Sequence, residues 1–128
     1  MNLDYVAGFL DGEGCIQMAK STKNPYIDIS QANKEVLDKI CELVGAGGVY
    51  KIKKYKDSNK QMFHWVITGL TAIEFIEKIV DILVVKKPEA ELLIKKKHLF
   101  QRHRKKLSQE TLDAREELRL QLKALKKQ

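Results

Sequence analysis

The sequence has no long apolar run and few cysteines. Its longest uninterrupted apolar stretch is residues 82–85, far below the roughly 18 to 20 residues that a membrane-spanning helix needs. Met1 is not followed by a charged leader and an apolar segment, so we expect no secretory signal and a protein that stays inside the cell. Cys15 and Cys41 lack metal-ligand spacing and lie in apolar-periodic segments, which predicts buried free thiols rather than a disulfide. We therefore expect neither redox chemistry nor a structural zinc site.

The length and the charge balance narrow the choice of partner. The chain has 128 residues, enough for one hydrophobic core and too few for two ordinary domains, so residues 1–128 are expected to form a single domain. It contains 24 Lys and Arg residues against 17 Asp and Glu residues, a net charge of +7. Such an excess indicates a polyanionic partner, with nucleic acid favoured over a membrane surface.

The first third of the chain predicts a short helix and then a β-hairpin. A capping Asn2 precedes apolar residues at helical spacing, and the helix should end near Glu13, where glycines follow. Two strand-like runs, 15–20 and 26–31, flank a loop of turn-forming residues. Alternation predicts two faces: Ile16, Met18, Ile27 and Ile29 toward the core, and Gln17, Ala19, Ser21, Tyr26, Asp28 and Ser30 on the opposite side.

The remainder of the chain predicts a helix, a second hairpin and further helices. Asn33 is suited to cap a helix that glycines stop at residue 45, and strands 49–56 and 61–68 follow. Thr71 and Glu74 form the pattern of a capping box at the start of the next helix. Pro88 should begin a helix that runs to Phe100, and Ser108 a terminal amphipathic helix, so residues 107–128 form a helical extension.

Together these elements predict an α+β fold. The order is helix, hairpin, helix, hairpin, helix, and the four strands can form one antiparallel sheet with the helices packed on one side. The other side of the sheet must then be polar, which makes it the natural ligand surface.

Residues 6–14, VAGFLDGEG, resemble the LAGLIDADG signature, followed by the two expected strands. The wider resemblance covers residues 3 to 100 and is to the LAGLIDADG homing endonucleases, in their single-motif, homodimeric branch. It implies hydrolysis of one phosphodiester on each strand of double-stranded DNA at a long pseudo-palindromic site, with Mg²⁺ (or Mn²⁺) as cofactor. It also implies a sheet that forms a saddle over the duplex.

The resemblance also implies roles for particular residues. Glu13, the second acid of the motif, matches the metal-binding position, with Gly12 beside it. Gln31 would order water around the metal, and Lys86 would stabilise charge or help to activate water. The interface between two copies would involve Ala7, Gly8, Asp11 and Gly12, with Asp11 in a structural role that includes accepting backbone N–H bonds.

The motif also has a physical rationale of its own. Gly8 and Gly12 lie four residues apart on one face of the helix, and the lack of side chains there lets a second backbone approach closely. Glu13 lies at the helix C-terminus, which already carries partial negative charge, so the combined field favours a bound divalent cation. Because one chain supplies one such carboxylate, paired metals need two chains meeting at this helix.

The polar sheet face and a lysine-rich hairpin are the candidate DNA contacts, since a β-ribbon fits the major groove. The residues expected to face the groove are Gln17, Ser21, Tyr26, Asp28, Ser30, His64 and Thr68. Lys51, Lys53 and Lys54 are assigned to DNA contact without a choice between bases and phosphates.

Two other functions are compatible with the sequence. One is a non-cleaving protein on the same scaffold, either a maturase-like RNA splicing factor or a DNA-binding regulator; the presence of Glu13 favours the enzyme. The other is an RNA-binding module of a different class, which would prefer structured RNA and need no metal. On this scaffold, RNA is expected as a partner only under the maturase alternative, and a membrane is not expected as a partner.

Overall fold

The computed structural model describes residues 1–53, 60–101 and 107–126 and has an α+β architecture. Its helices are α1 (Leu3–Glu13), α2 (Lys34–Val44), α3 (Gly69–Ile79), α4 (Lys87–Lys95) and α5 (Gln109–Leu125), with a 3₁₀ helix at Lys97–Phe100. Its strands are β1 (Gly14–Met18), β2 (Pro25–Gln31), β3 (Gly48–Lys51) and β4 (Phe63–Thr68). The predicted fold class is confirmed. No helix within the described residues is long and apolar enough to cross a membrane.

The four strands form one antiparallel sheet in the order β1-β2-β4-β3. Helices α1, α2 and α3 pack on one face, where the core side chains Ile16, Ile27, Ile29, Trp65 and Ile67 are buried. α5 borders the free edge of β1, and its Leu122 lies beside Met18. The alternation predicted for β1, β2 and β4 is confirmed, because every second residue of these strands lies on the helical side.

Three helix starts follow the local capping signals in the sequence. The side chain of Asn2 accepts a hydrogen bond from the Tyr5 N–H at 2.9 Å, and Asn33 accepts one from Val36 at 3.2 Å. Ser108 Oγ accepts from the N–H of the third residue after it at 3.1 Å. Each side chain satisfies one of the N–H groups that a helix start leaves without a partner.

The start of α3 differs from the prediction. The helix begins at Gly69 instead of after Thr71, and the preceding Thr68 makes no capping hydrogen bond through its side chain. Thr71 therefore lies inside the first turn, and the capping-box prediction is wrong. The physical reason is the left-handed backbone at Gly69, φ +68°, which turns the chain from β4 directly into α3.

Three other bounds are also corrected. β1 ends at Met18, not at residue 20, because a turn closed by the Lys23 N–H and the Ala19 carbonyl follows it. The helix that contains Pro88 ends at Lys95, and the chain reaches Phe100 as a tighter 3₁₀ helix. β3 ends at Lys51, and the rest of the predicted strand, from residue 54, lies outside the described residues.

Both cysteines are free, as predicted, but the prediction that they are buried is wrong. Cys15 is exposed and Cys41 is half-buried. Since Ile16 and Met18 point into the core, the pleat of β1 turns Cys15 to the opposite face.

Arg115 attaches α5 to the rest of the domain. It is buried, its Nε and Nη2 donate to the Leu99 carbonyl at 3.0 and 2.8 Å, and its guanidinium lies 4.7 Å from the centre of the Phe100 ring. Its Nη1 also donates to Asn24 Oδ1 at 3.4 Å, which ties α5 to the loop between β1 and β2. One side chain thus joins three parts of the chain.

We expect Arg115→Ala to lower the free energy of unfolding by about 2 to 3 kcal/mol, because it removes charge-assisted hydrogen bonds and a cation–π contact together. Urea unfolding followed by circular dichroism measures the change. Lys39→Ala is the control, since the Lys39 ammonium pairs with Glu35 at 3.4 Å on the exposed surface of α2. Equal effects of the two substitutions would contradict the proposed role of Arg115.

Candidate active site and polar sheet face

The C-terminal end of α1 presents Glu13 at the surface. The helix ends where the N–H of Gly14 bonds to the Leu10 carbonyl and the chain turns into β1. A Cβ on Gly14 would lie 2.6 Å from Leu10 Cδ1 and 3.1 Å from the Asp28 carbonyl oxygen, so only glycine lets the helix end approach β2 this closely. Glu13 is exposed, and its carboxylate adds to the negative end of the helix dipole. This is an attractive position for a cation.

Asp11 connects this helix end to the segment that precedes α4. Its Oδ2 accepts the N–H groups of Val84 at 2.8 Å and Val85 at 3.2 Å, and its Oδ1 accepts the N–H of Lys86 at 2.9 Å. Burial alone would raise the pKa of Asp11, but these N–H groups and the Lys86 ammonium outweigh burial and lower it. The structural role predicted for Asp11, as an acceptor of backbone N–H bonds, matches these contacts.

The same connection positions Lys86. Its Nζ donates to the Asp11 carbonyl oxygen at 2.6 Å, so the ammonium lies at the C-terminal end of α1, two residues from Glu13 along the chain. Lys86 follows Glu13 by 73 positions in the sequence, and it reaches this end because Asp11 holds the backbone of the intervening segment. The Lys86 ammonium and Glu13, the candidate metal ligand, thus lie at the same end of α1.

We expect Asp11→Ala to lower the free energy of unfolding by about 2 kcal/mol, because the N–H groups of Val84, Val85 and Lys86 lose their acceptor. Folding lowers the pKa of Asp11, so the ionised carboxylate stabilises the folded chain. This stabilisation is fully present at a pH above the ordinary pKa of an aspartate and is lost as the pH falls through the lowered pKa. Urea unfolding of the wild type and of Asp11→Ala at several pH values measures this stabilisation. The wild-type and Asp11→Ala unfolding energies should converge in acid, and a difference that persists there would contradict this assignment.

Gln31 lies at the same end of the sheet. Gly14 pairs with Ile29 across the β1–β2 ladder, so the residues after Ile29 continue past the point where α1 meets β1. Gln31 is the last residue of β2 and pairs with Phe63 of β4. The register therefore brings the end of β2 to the same edge as Glu13 and Lys86.

A cavity of about 470 Å³ lies beside Lys86 and extends to the last turn of α5. It is lined by Lys86, Glu89 and Lys126, and Glu89 Oε2 has no hydrogen-bond partner among the described residues. Glu89 lies in the first turn of α4, where the helix dipole favours a negative charge. Burial lowers the pKa of Lys126. The C-terminal extension thus reaches the surroundings of Lys86.

The face of α1 that carries the motif glycines is open. A Cβ on Gly8 or Gly12 would meet no atom within 4 Å. Two apolar side chains beside this helix end are exposed, Val84 by 78% and Val85 by 69%. Ala7, by contrast, is buried in the core of its own chain, so the surface open to a partner is formed by the glycines and not by Ala7.

The described residues of one chain do not build a complete metal site. The described residues contain no group of three or more His, Cys, Asp or Glu side chains that could hold a metal ion. Glu13 and the exposed backbone of Gly12 are the donors that one chain offers at this end, and divalent cations such as Mg²⁺ bind through one or two carboxylates plus phosphate oxygens and water. The donor set fits such an ion when a nucleic-acid phosphate and a second carboxylate are supplied from outside.

The sheet face opposite the helices carries the predicted polar side chains. Strand alternation and register place on it Cys15, Gln17, Tyr26, Asp28, Ser30, Tyr50, His64, Val66 and Thr68. Tyr26 Oη donates to Gln17 Oε1 at 3.0 Å. Burial, with smaller contributions from Asp28 and Cys15, raises the pKa of Tyr26, so its hydroxyl remains a donor. The face is lined with groups that can bond to base edges.

Sequence reasoning missed Tyr50 on this face. Tyr50 is 58% exposed, pairs with His64, and its ring centre lies 6.0 Å from the His64 ring in an edge-on arrangement. The residue that could have predicted this position is the apolar Val49 before it. Val49 packs against the core, and strand alternation therefore turns Tyr50 to the opposite face.

Of the predicted lysine contacts, Lys51 and Lys53 lie outside this face. Lys51 pairs with Phe63 and shares the side of β3 that carries Val49, and Lys53 follows the strand; both are exposed. Lys54 lies outside the described residues. Ser21 is exposed in the turn between β1 and β2.

Comparison with known proteins relates this arrangement to one family. The family described as LAGLIDADG endonuclease matches residues 6–107. No curated protein sequence matched the chain. Among solved structures, the homing endonuclease I-CvuI in complex with the I-CreI target is 20% identical with a TM-score of 0.76, over 96% of this chain and 80% of that one.

Two further structures show the same fold. The archaeal intron-encoded homing endonuclease I-Vdi141I, complexed with DNA, is 23% identical with a TM-score of 0.73, over 96% of this chain and 82% of that one. The homing endonuclease I-TnaI is 22% identical with a TM-score of 0.71, over 99% of this chain and 95% of that one.

Proposed function

The chain belongs to the LAGLIDADG endonuclease family, and we propose that it is a homodimeric, site-specific endonuclease that cleaves both strands of a long pseudo-palindromic DNA target with a divalent metal. The observation that carries this proposal is the position of Glu13. An exposed carboxylate ends the motif helix, and the Lys86 ammonium is held at the same helix end by Asp11.

Glu13, with the backbone of Gly12, would hold Mg²⁺ or Mn²⁺ there. When bound, the metal lowers the pKa of water and neutralises charge on the scissile phosphate and the leaving oxygen. I-CvuI complexes were solved in the presence of 2 mM Mg, with the DNA not cleaved, and of 2 mM Ca, which supports the binding of a divalent ion by this fold.

Lys86 and Gln31 would act on the reacting groups beside this ion. The Lys86 ammonium places positive charge where negative charge develops during cleavage, and its bond to the Asp11 carbonyl limits its movement. The Gln31 amide can both donate and accept, which suits it to order water at this edge.

Two copies would meet through the open face of α1. Glycines bring helices close together, and exposed Val84 and Val85 would be covered in the dimer. A two-fold interface there places one Glu13 on each side of the symmetry axis, and two related half-sites of DNA would lie under the two polar sheet faces.

Cleavage and assembly are tested with the full chain. The chain is incubated with a supercoiled plasmid that carries the uninterrupted junction of the gene in which the reading frame is found, with Mg²⁺ and with EDTA. Linear product with Mg²⁺ alone supports the proposal, as does a dimer mass in light scattering. A monomer, or duplex DNA displaced by structured RNA with no metal requirement, would overturn it.

A further inference from the structure

The polar sheet face holds one acidic residue, which is unexpected on a surface meant for a polyanion in a chain of net charge +7. Of the described strand residues on this face, Asp28 alone is acidic, and none is Lys or Arg. Asp28 lies on β2, an interior strand, so it is in the middle of the face and not at its rim. A carboxylate there would oppose DNA binding unless the duplex supplies it with a donor.

The contacts of Asp28 leave it able to accept further hydrogen bonds. Its Oδ1 accepts from Ser30 Oγ at 3.4 Å, and its Oδ2 lies 3.2 Å from His64 Nδ1. Each carboxylate oxygen has two lone pairs, so each keeps one acceptor position. The residues paired with Asp28 on its two sides, Cys15 and Val66, offer no strong donor, and the Asp28 side chain is 27% exposed.

His64 provides a second hydrogen-bond acceptor beside Asp28. A carboxylate can only accept, so the hydrogen of the neutral ring lies on Nδ1, toward Asp28, and Nε2 is left as an acceptor. The Tyr50 ring lies against this imidazole, with the two ring planes at 72° to each other. Asp28 and His64 therefore present two adjacent acceptors outward.

The hydrogen-bonding groups of the four DNA bases decide which base can bind to the Asp28 and His64 acceptors. In the major groove, cytosine presents an amino donor, whereas guanine presents two acceptors and thymine an acceptor and a methyl group. Adenine presents a donor beside the acceptor N7, which would face the second acceptor of the pair. Building on the proposed function, we propose that Asp28, oriented by His64, selects cytosine at one defined position of each half-site.

The test is selection of bound duplexes from a randomised pool, with Ca²⁺ in place of Mg²⁺ and at about pH 8, above the ordinary range of histidine. For the wild type we expect one position in each half-site with cytosine favoured over guanine by about 10-fold or more. Asp28→Asn should lose that preference at this position and keep the preferences elsewhere, because an amide both donates and accepts. Glu42→Gln, the same change at an exposed site on α2, should leave every position unchanged.

The outcomes separate this inference from the proposed function. If the wild type and Asp28→Asn enrich the same sequences with the same profile, the cytosine assignment is wrong while duplex recognition stands. If the wild type enriches no duplex sequence, the proposed function fails and the assignment fails with it. Thermal unfolding of Asp28→Asn shows whether it is folded, and His64→Gln provides a second variant, which should weaken the same position alone.

Discussion

Replacement of Glu13 by glutamine is expected to slow DNA cleavage by about 1,000-fold or more, since metal-derived stabilisation of the transition state amounts to several kcal/mol. Glutamine keeps the length and shape of the side chain but removes the charge that would hold the cation. Glu13 is exposed at the end of α1 and makes no contact that the fold needs among the described hydrogen bonds. Stability and DNA affinity should therefore remain close to those of the wild type.

Single-turnover cleavage of the target plasmid measures this effect, and a gel-shift assay measures binding separately. Glu42→Gln is the matched control, because it removes one exposed carboxylate from α2, away from the motif helix. A Glu13→Gln enzyme that cleaves at the wild-type rate would show that this carboxylate has no part in the reaction. Loss of binding and cleavage together would place Glu13 in DNA recognition instead.

The second large effect is expected from Gly8→Leu. Within one chain, a Cβ at this position meets nothing within 4 Å, and leucine favours a helix over glycine by close to 1 kcal/mol. The folded chain should therefore be as stable as the wild type or slightly more stable. Between two chains the new side chains would separate the helices, and because a two-fold interface repeats each clash, we expect dimer dissociation to rise on the order of 100-fold or more.

Sedimentation equilibrium measures the dimer constant, and urea unfolding measures the stability of the chain. Ala124→Leu is the control, since it enlarges an exposed small residue on α5. A Gly8→Leu protein that remains dimeric and binds its target normally would place the interface elsewhere. A loss of stability in a variant that is already monomeric would mean that Gly8 packs within its own chain.

Several parts of the candidate site were accessible from the sequence because they depend on neighbouring residues. The motif identified Glu13, and alternation identified the side of β2 that carries Tyr26, Asp28 and Ser30. The same alternation should also have placed Cys15 outward once Ile16 was assigned to the core. The error at α3 has a different cause. Thr71 and Glu74 match the pattern of a capping box, but the helix begins earlier, at Gly69, whose left-handed backbone turns the chain out of β4.

By itself, the sequence determined the caps of α1, α2 and α5, the faces of three strands, the family and the acid at the end of α1. These features arise from hydrogen bonds and side-chain periods that span a few residues, so they can be predicted from the sequence alone. Only the tertiary structure decided that Asp11 would hold backbone groups 73 to 75 residues away, and that Arg115 would join α5 to Leu99 and Asn24. Such contacts depend on which elements pack together, and that is set by burial over the whole core.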